Sequence, residues 1–199
     1  MSSLVSAVKR VVQDLSELKV RFAIVGALAI GSRGRVRQTL DADIAVSLPD
    51  INKSDELINS LVLRGYGINN LYRNESKLAL ARLFSPDNLN NLFEIDLLFD
   101  LCGIEQEVID TAEVLEIWPG ISAPIARMPA LLAMKARCQE LPERIQDKAD
   151  LVNQLIPFAT LSDIEEARIL IQLVEQRGYN EGRRLLQDFN MLVASVKRK

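Results

Sequence analysis

The sequence predicts an α/β (α+β) chain, a small β-sheet flanked by helices and followed by a helical C-terminal extension. Three observations predict it. β-rich apolar runs at 20–25, 41–47, 78–84, 92–99, 113–118 and 121–127 are interleaved with segments of helical periodicity. Gly and Pro clusters punctuate these runs. Beyond Met128 the β signals stop, and Pro129, at a first helical position, opens an all-helical stretch. The division this implies is a sheet domain over 1–128 and a helical subdomain over 129–199.

Taken in order, Leu4, Val8, Val11, Leu15 and Leu18 recur at spacings of three and four, the apolar stripe of an amphipathic helix over 3–18. Residues 20–25 (VRFAIV) form a buried strand ending at Gly26, and Ala27 to Gly31 a short helix whose first N–H groups can bind an anion. Arg33, Arg35 and Arg37 fall in a loop free of acids and lead to the strand 41–47. Ser54 or Asp55 caps a helix running to about Leu63, with Leu57, Ile58, Leu61 and Val62 inward and Gly65 and Gly67 closing it. Residues 78–84 and 92–99 read as a hairpin around Ser85-Pro86-Asp87-Asn88. A short helix over 104–112 precedes two strands joined at Trp118-Pro119-Gly120. Helices follow over 130–139 and 161–176, the second with a stripe of Leu161, Ile164, Ala167, Ile171 and Val174. A last helix, capped by Asn180, turns Leu185, Phe189, Leu192 and Val196 inward.

Composition narrows the chemistry. The chain of 199 residues, 48% hydrophobic, can bury a core, and no apolar run is long enough to cross a membrane. The start, MSSLVSAVKRVVQDL, carries charges where a signal peptide has its apolar stretch. Cys102 and Cys138 are isolated, which indicates neither a disulfide framework nor a zinc site, and a cytoplasmic protein is the natural reading. There is no histidine, so Ser-His-Asp and Cys-His catalysis and histidine metal sites are excluded. A net charge of −3 argues against general coating of nucleic acid, but Arg177 to Lys199 holds six basic residues against two acidic ones, a local RNA-facing surface or a solvated tail.

The stretch IVGALAIGSRGRVRQTLDADI, residues 24–44, carries the clearest chemistry. In a strand, side chains two apart share a face, so Asp41 and Asp43 stand side by side with Ala42 and Ile44 turned away. Two carboxylates that close repel each other unless a cation lies between them, and hard oxygens suit Mg²⁺. A bare DxD is more often a pair of solvated aspartates. The arginines before it supply the positive charge a polyphosphate requires. Farther on, Glu94 and Asp96 alternate with Ile95 and Leu97, giving the 92–99 strand one acidic and one apolar face.

These residues resemble the DNA polymerase β-like nucleotidyltransferase superfamily. Its signature, an apolar residue, Gly, Gly or Ser, about a dozen residues and Asp-apolar-Asp-apolar, reads here as Val25-Gly26-Ala27, thirteen residues, then Asp41-Ala42-Asp43-Ile44. The Arg37-x-Thr39-x-Asp41-x-Asp43 run resembles small bacterial members, the AbiEii/AbiGii-type toxins and the minimal nucleotidyltransferases of toxin–antitoxin systems. Ala27 replaces the usual Gly or Ser, and Ala42 is smaller than usual. The resemblance implies a small mixed sheet and a two-metal Mg²⁺ site of Asp41, Asp43 and Asp96, the last acting on the attacking hydroxyl, with Glu94 as the alternative. It implies nucleotide contacts from Gly26, Ala27 and Arg37, and a weaker one from Thr39. The segment ARMPALLAMKAR resembles a post-sheet helix whose lysine lies near nucleotide phosphates, which points to Lys135. Arg144, Asp147 and Asp150 match an R-x-x-D-x-x-D pattern, though a surface ion-pair ladder explains them equally well.

The expected activity is Mg²⁺-dependent transfer of a nucleoside monophosphate from a nucleoside triphosphate, with ATP-binding expected from the resemblance, to an acceptor hydroxyl. A toxin modifying an RNA 3′ end, such as that of tRNA, is the first reading, because the helical extension exceeds a minimal nucleotidyltransferase. An antitoxin that modifies or binds a partner toxin protein is the second, and a non-catalytic nucleotide-binding module the third. An antibiotic-modifying transferase is a distant fourth, since the sequence has no feature specific to an aminoglycoside site. Nothing indicates a membrane partner.

Overall fold

The structure, a computed structural model, describes residues 4–33, 39–50, 53–87, 93–138 and 145–198. The chain divides into two units, Met1–Leu101 with Glu105–Ala126, and Cys102–Ile104 with Arg127–Lys199.

In the first unit the apolar stripe of the opening segment becomes α1 (Leu4–Glu17), which buries Ala7, Val8, Val11 and Leu15. Short β-branched and aromatic runs then build β1 (Arg21–Ile24), β2 (Asp41–Ser47), β3 (Gly67–Asn74), β4 (Lys77–Phe84), β5 (Glu94–Leu98), β6 (Glu113–Trp118) and β7 (Ile121–Ile125). Between them lie α2 (Gly26–Ser32), α3 (Ser54–Leu63) and α4 (Glu105–Asp110). The seven strands form one mixed sheet in the order β3-β4-β5-β2-β1-β7-β6. β2 sits at its centre, antiparallel to β1 and parallel to β5. The expected hairpin is present as the antiparallel pair of β4 and β5. Ile24, Ile44, Leu83, Ile95, Leu97 and Ile125 are fully buried, so the inner strands supply the core.

One strand was not legible. The sequence reading closes a helix at Gly65 and Gly67 and expects no strand there, whereas Gly67 opens β3, GINNLYRN, which pairs with β4 across a turn at Glu75 (φ +54°). This strand lies at the sheet edge and is exposed along almost its whole length, so nothing requires it to alternate apolar and polar residues. A smaller correction concerns α3, where Leu57, Ile58 and Leu61 are buried but Val62 is exposed.

A buried acid holds α1 to the chain that follows α3. Asp14, 2% exposed, accepts from Arg10 Nε (2.7 Å), Arg64 Nη1 (2.5 Å) and Tyr66 Oη (2.9 Å). Burial pushes the Asp14 carboxyl up, but the hydrogen bonds from Arg10, Tyr66 and Arg64 together outweigh it and hold the group below the usual carboxylate range. Burial, then the bond to Asp14, pushes the Tyr66 phenol well up, so it remains a donor. Asp14→Asn should cost about 2–4 kcal/mol, the scale for breaking a buried charged network. A lowered folded-state value means this stabilisation is complete above the unfolded carboxylate value, about pH 4, and is lost as pH falls through the folded value. Urea unfolding of both proteins at pH 7 and pH 3 should show the wild-type advantage shrinking at the lower pH.

The second unit contains α5 (Met128–Cys138), α6 (Ile145–Asp150), α7 (Leu161–Gln176) and α8 (Leu185–Lys197). Past Asp150 the helix widens into a π-turn over Leu151–Leu155, closed by Ile156 N–H donating to Leu151 O at 2.9 Å. Thr160 and Asp163 form a reciprocal capping box that starts α7. Leu161 is therefore first-turn surface, 78% exposed, and the buried stripe begins at Ile164. Asn180 does not cap the last helix. Arg184 occupies that position, and the Asn180 amide donates to Arg183 O at 2.7 Å. In α8 the buried residues are Leu185, Phe189 and Val193, while Leu192 and Val196 are half-buried. Among the described residues no helix is long and apolar enough to cross a membrane.

Candidate active site

Asp41 and Asp43 occupy alternate positions of β2 and are half-buried, while Ala42 and Ile44 between and beyond them are fully buried. The alternation that a lone DxD leaves undecided is thus fixed by burial of the other face. In the parallel ladder Asp41 lies opposite Glu94, and Asp43 opposite Asp96. Directly paired residues project to one side, so four carboxylates from two strands share a face at the sheet centre. Asp96 is 4% exposed, which sets aside the reading of an exposed acidic edge.

Gly26 explains why a glycine ends the first strand. Its φ is +61°, and a Cβ built there would lie 1.8 Å from Asp43 Oδ2. Only glycine permits both the left-handed backbone and the approach of that carboxylate. The backbone supports the same contact, since Val25 N–H donates to Asp43 O at 2.9 Å. Val25, the N-cap of α2, has no side chain that satisfies the first-turn N–H groups. Gly26→Ala should lower the melting temperature through a strained φ and displace Asp43. A circular dichroism melt checks the first effect and loss of divalent-cation binding the second.

The remaining expected residues fall as follows. The Thr39 hydroxyl donates to the Asp41 carboxylate, and Asp41 N–H lies 3.4 Å from Thr39 Oγ1, so Thr39 positions an acid of the pair. Arg33 is structural. Its Nε donates to Ala126 O at 2.7 Å and its Nη2 pairs with Glu113 at 2.9 Å, which ties the end of α2 to the β6–β7 hairpin. Arg35, Arg37 and Arg144 lie outside the described residues. Lys135 belongs to the second unit. Its ammonium is bonded to Asp147 and lies 3.2 Å from Asp150 Oδ2. Asp147 and Asp150 are 4% and 0% exposed, so the surface ion-pair ladder is replaced by a buried cluster beside the π-turn.

Sequence reasoning missed Arg82. It is the cross-strand partner of Asp96 in the β4–β5 pair, and its guanidinium takes both carboxylate oxygens, Nε to Oδ1 at 2.8 Å and Nη2 to Oδ2 at 2.7 Å. The hydrogen bond to Asp96 pushes the guanidinium further up, against the smaller effect of burial. The signal was present in LALARLF, a strand otherwise apolar, where a single arginine on one face calls for a buried acid.

The donor set fits a divalent cation. Asp41 and Asp43 offer hard oxygens from one strand face, and Asp43 rests in a cradle a Cβ would fill. Among the described residues no three acidic or cysteine side chains form a complete metal cage. Mg²⁺ takes one or two carboxylates and completes its shell with water and substrate phosphates, and Asp41 and Asp43 offer such a pair.

The fold is that of nucleotidyltransferase-like proteins. The chain superposes on the crystal structure of an antigenic nucleotidyltransferase-like protein from Paracoccidioides brasiliensis with a TM-score of 0.52 and 17% identity, covering 95% of this chain and 93% of that one. It is also similar to the antibiotic-resistance factor ANT(2'')-Ia, with 17% identity over 98% of this chain and 95% of that one and a TM-score of 0.47. The lincosamide antibiotic adenylyltransferase LnuA, in its lincomycin-bound structure, gives 12% identity over 88% and 98% of the two chains and a TM-score of 0.43. No family model and no curated protein matches the sequence.

Proposed function

We propose that this protein is a metal-dependent nucleotidyltransferase that moves a nucleoside monophosphate from a nucleoside triphosphate to an acceptor hydroxyl. One observation carries the reading. Asp43 and Asp96 face each other on adjacent parallel strands, directly beside the glycine turn that opens α2. The fold shared with a nucleotidyltransferase-like protein supports it.

In this reading Asp41 and Asp43 would hold one divalent cation and Asp96 a second. Bound Mg²⁺ would lower the pKa of the attacking hydroxyl and neutralise charge on the departing pyrophosphate. The chain's own residues do the rest. Backbone N–H groups at Gly26 and Ala27 orient phosphate oxygens, and Arg37 adds a cationic contact. Thr39 fixes the rotamer of Asp41. Asp96 accepts the proton as the acceptor oxygen bonds to the α-phosphorus and the bond to pyrophosphate breaks.

The acceptor in this proposal is an RNA 3′ end, with tRNA the first candidate, and the role that of a toxin. The Arg37-x-Thr39-x-Asp41-x-Asp43 run and the helical second unit support it. The test is incubation with each α-labelled nucleoside triphosphate, Mg²⁺ and total RNA or cell lysate. Label on RNA is expected. Label on a single protein instead makes the protein-modifying antitoxin the correct reading, and nucleotide binding with no transfer makes it a binding module.

A further inference from the structure

Asp96 is claimed from two sides. From β4, Arg82 holds both of its carboxylate oxygens. From β2, Asp43 faces it across the parallel ladder, on the side where the proposed cation is held. A guanidinium and a divalent ion on one carboxylate repel each other, and the repulsion is strong where Asp96 is almost wholly out of water. Arginine cannot relieve this by losing its proton, so the repulsion favours a shift of the guanidinium away from Asp96.

A second seat lies within reach. Arg82 Nε is 3.4 Å from Glu94 Oε2, and the other oxygen of Glu94 accepts from Asn69 Nδ2 at 2.5 Å. Asn69 thus holds Glu94 in place one pleat repeat along β5, on the face that Asp96 shares. The arrangement gives one guanidinium two carboxylates, Asp96 opposite Asp43 and Glu94 opposite Asp41, so that only the first lies in the Asp43–Asp96 pair.

We infer that Arg82 is a positioning residue that sets the cation affinity of the Asp43–Asp96 pair by exchanging between Asp96 and Glu94. Seated on Asp96, it competes with a divalent cation. Shifted to Glu94, it releases Asp96 to coordinate. The consequence is selectivity for the loaded substrate, because the negative triphosphate offsets the repulsion that a bare cation meets. This rests on the metal-dependent reading above and goes beyond it by assigning Arg82, Glu94 and Asn69 a task.

The experiment titrates the full chain with Mn²⁺, without nucleotide, and counts free Mn²⁺ by electron paramagnetic resonance. Arg82→Gln should bind Mn²⁺ about ten- to a hundredfold more tightly than wild type, the worth of one displaced charge-assisted pair. Glu94→Gln should bind several-fold more weakly, because the second seat is gone. In the Arg82→Gln background the same Glu94→Gln change should have almost no effect, which separates a seat for Arg82 from a metal ligand. Should Arg82→Gln prove too unstable, Arg82→Lys carries the test, since a single-point ammonium competes less well and should tighten binding several-fold. Equal or weaker Mn²⁺ binding by the Arg82 variants, with Asp43→Asn losing it, overturns this inference and leaves the metal-dependent reading intact. Wild-type Mn²⁺ binding by Asp43→Asn overturns both.

Discussion

Asp41→Asn and Asp43→Asn are each expected to abolish nucleotidyl transfer while the melting temperature stays level or rises. The effect on chemistry is large because an amide oxygen carries no full charge for a divalent cation, and no histidine exists to take over. The fold should tolerate the change because the two carboxylates repel one another on the same strand face when nothing lies between them. Asn keeps the shape that Gly26 accommodates and an oxygen to accept from Thr39. Transfer of an α-labelled nucleotide and a thermal melt, run on the same preparations, check both halves. A double variant that transfers at the wild-type rate sinks the assignment. Removing divalent cations with a chelator should reproduce the loss in the wild type and change the melt little.

Asp96→Asn should behave differently, and the difference is diagnostic. Transfer should fall by at least about 10²-fold, the scale for losing a general base. Here the melting temperature should also drop, because Asp96 is the buried charge partner of Arg82. Arg82 is about a third exposed, so the loss stays near 1–2 kcal/mol, below the cost of breaking a fully buried pair. Glu94→Gln is the companion measurement. Half-buried and further from Asp43, it should retain most transfer with Mg²⁺-nucleotide in excess. If Glu94→Gln is inactive and Asp96→Asn active, the strand register holds and the proton acceptor is Glu94. Full activity in both variants removes the catalytic role from this strand.

Much of the sheet was legible because its inner strands must bury both faces. VRFAIV, DADIAVS, LALARLF and EIDLLF have few polar residues to spare, and their polar positions stand out against that background. The edge strand β3 was not legible for the converse reason. Exposed on nearly every residue, it is held by its ladder to β4, and its sequence carries no period. The surface-ladder reading of Asp147 and Asp150 failed for a related cause. Spacing of three along a helix places Asp147 and Asp150 on one face, but whether that face meets water or Lys135 depends on where α5 (Met128–Cys138) packs.

The sequence by itself determined what is local. Period-two alternation put Asp41 and Asp43 on one face, a glycine marked the turn before α2, and the absence of histidine restricted the chemistry to carboxylates. Tertiary structure alone decided what depends on which strands become neighbours. It set β5 parallel to β2 in the register that opposes Asp96 to Asp43, although the two lie more than fifty residues apart in sequence. It brought Arg82 across the hairpin to both oxygens of Asp96, and Asn69 from the edge strand to Glu94. The reason is that side-chain direction along one strand follows from backbone stereochemistry residue by residue. Pairing between strands is chosen by the burial of the whole sheet, and no single segment encodes it.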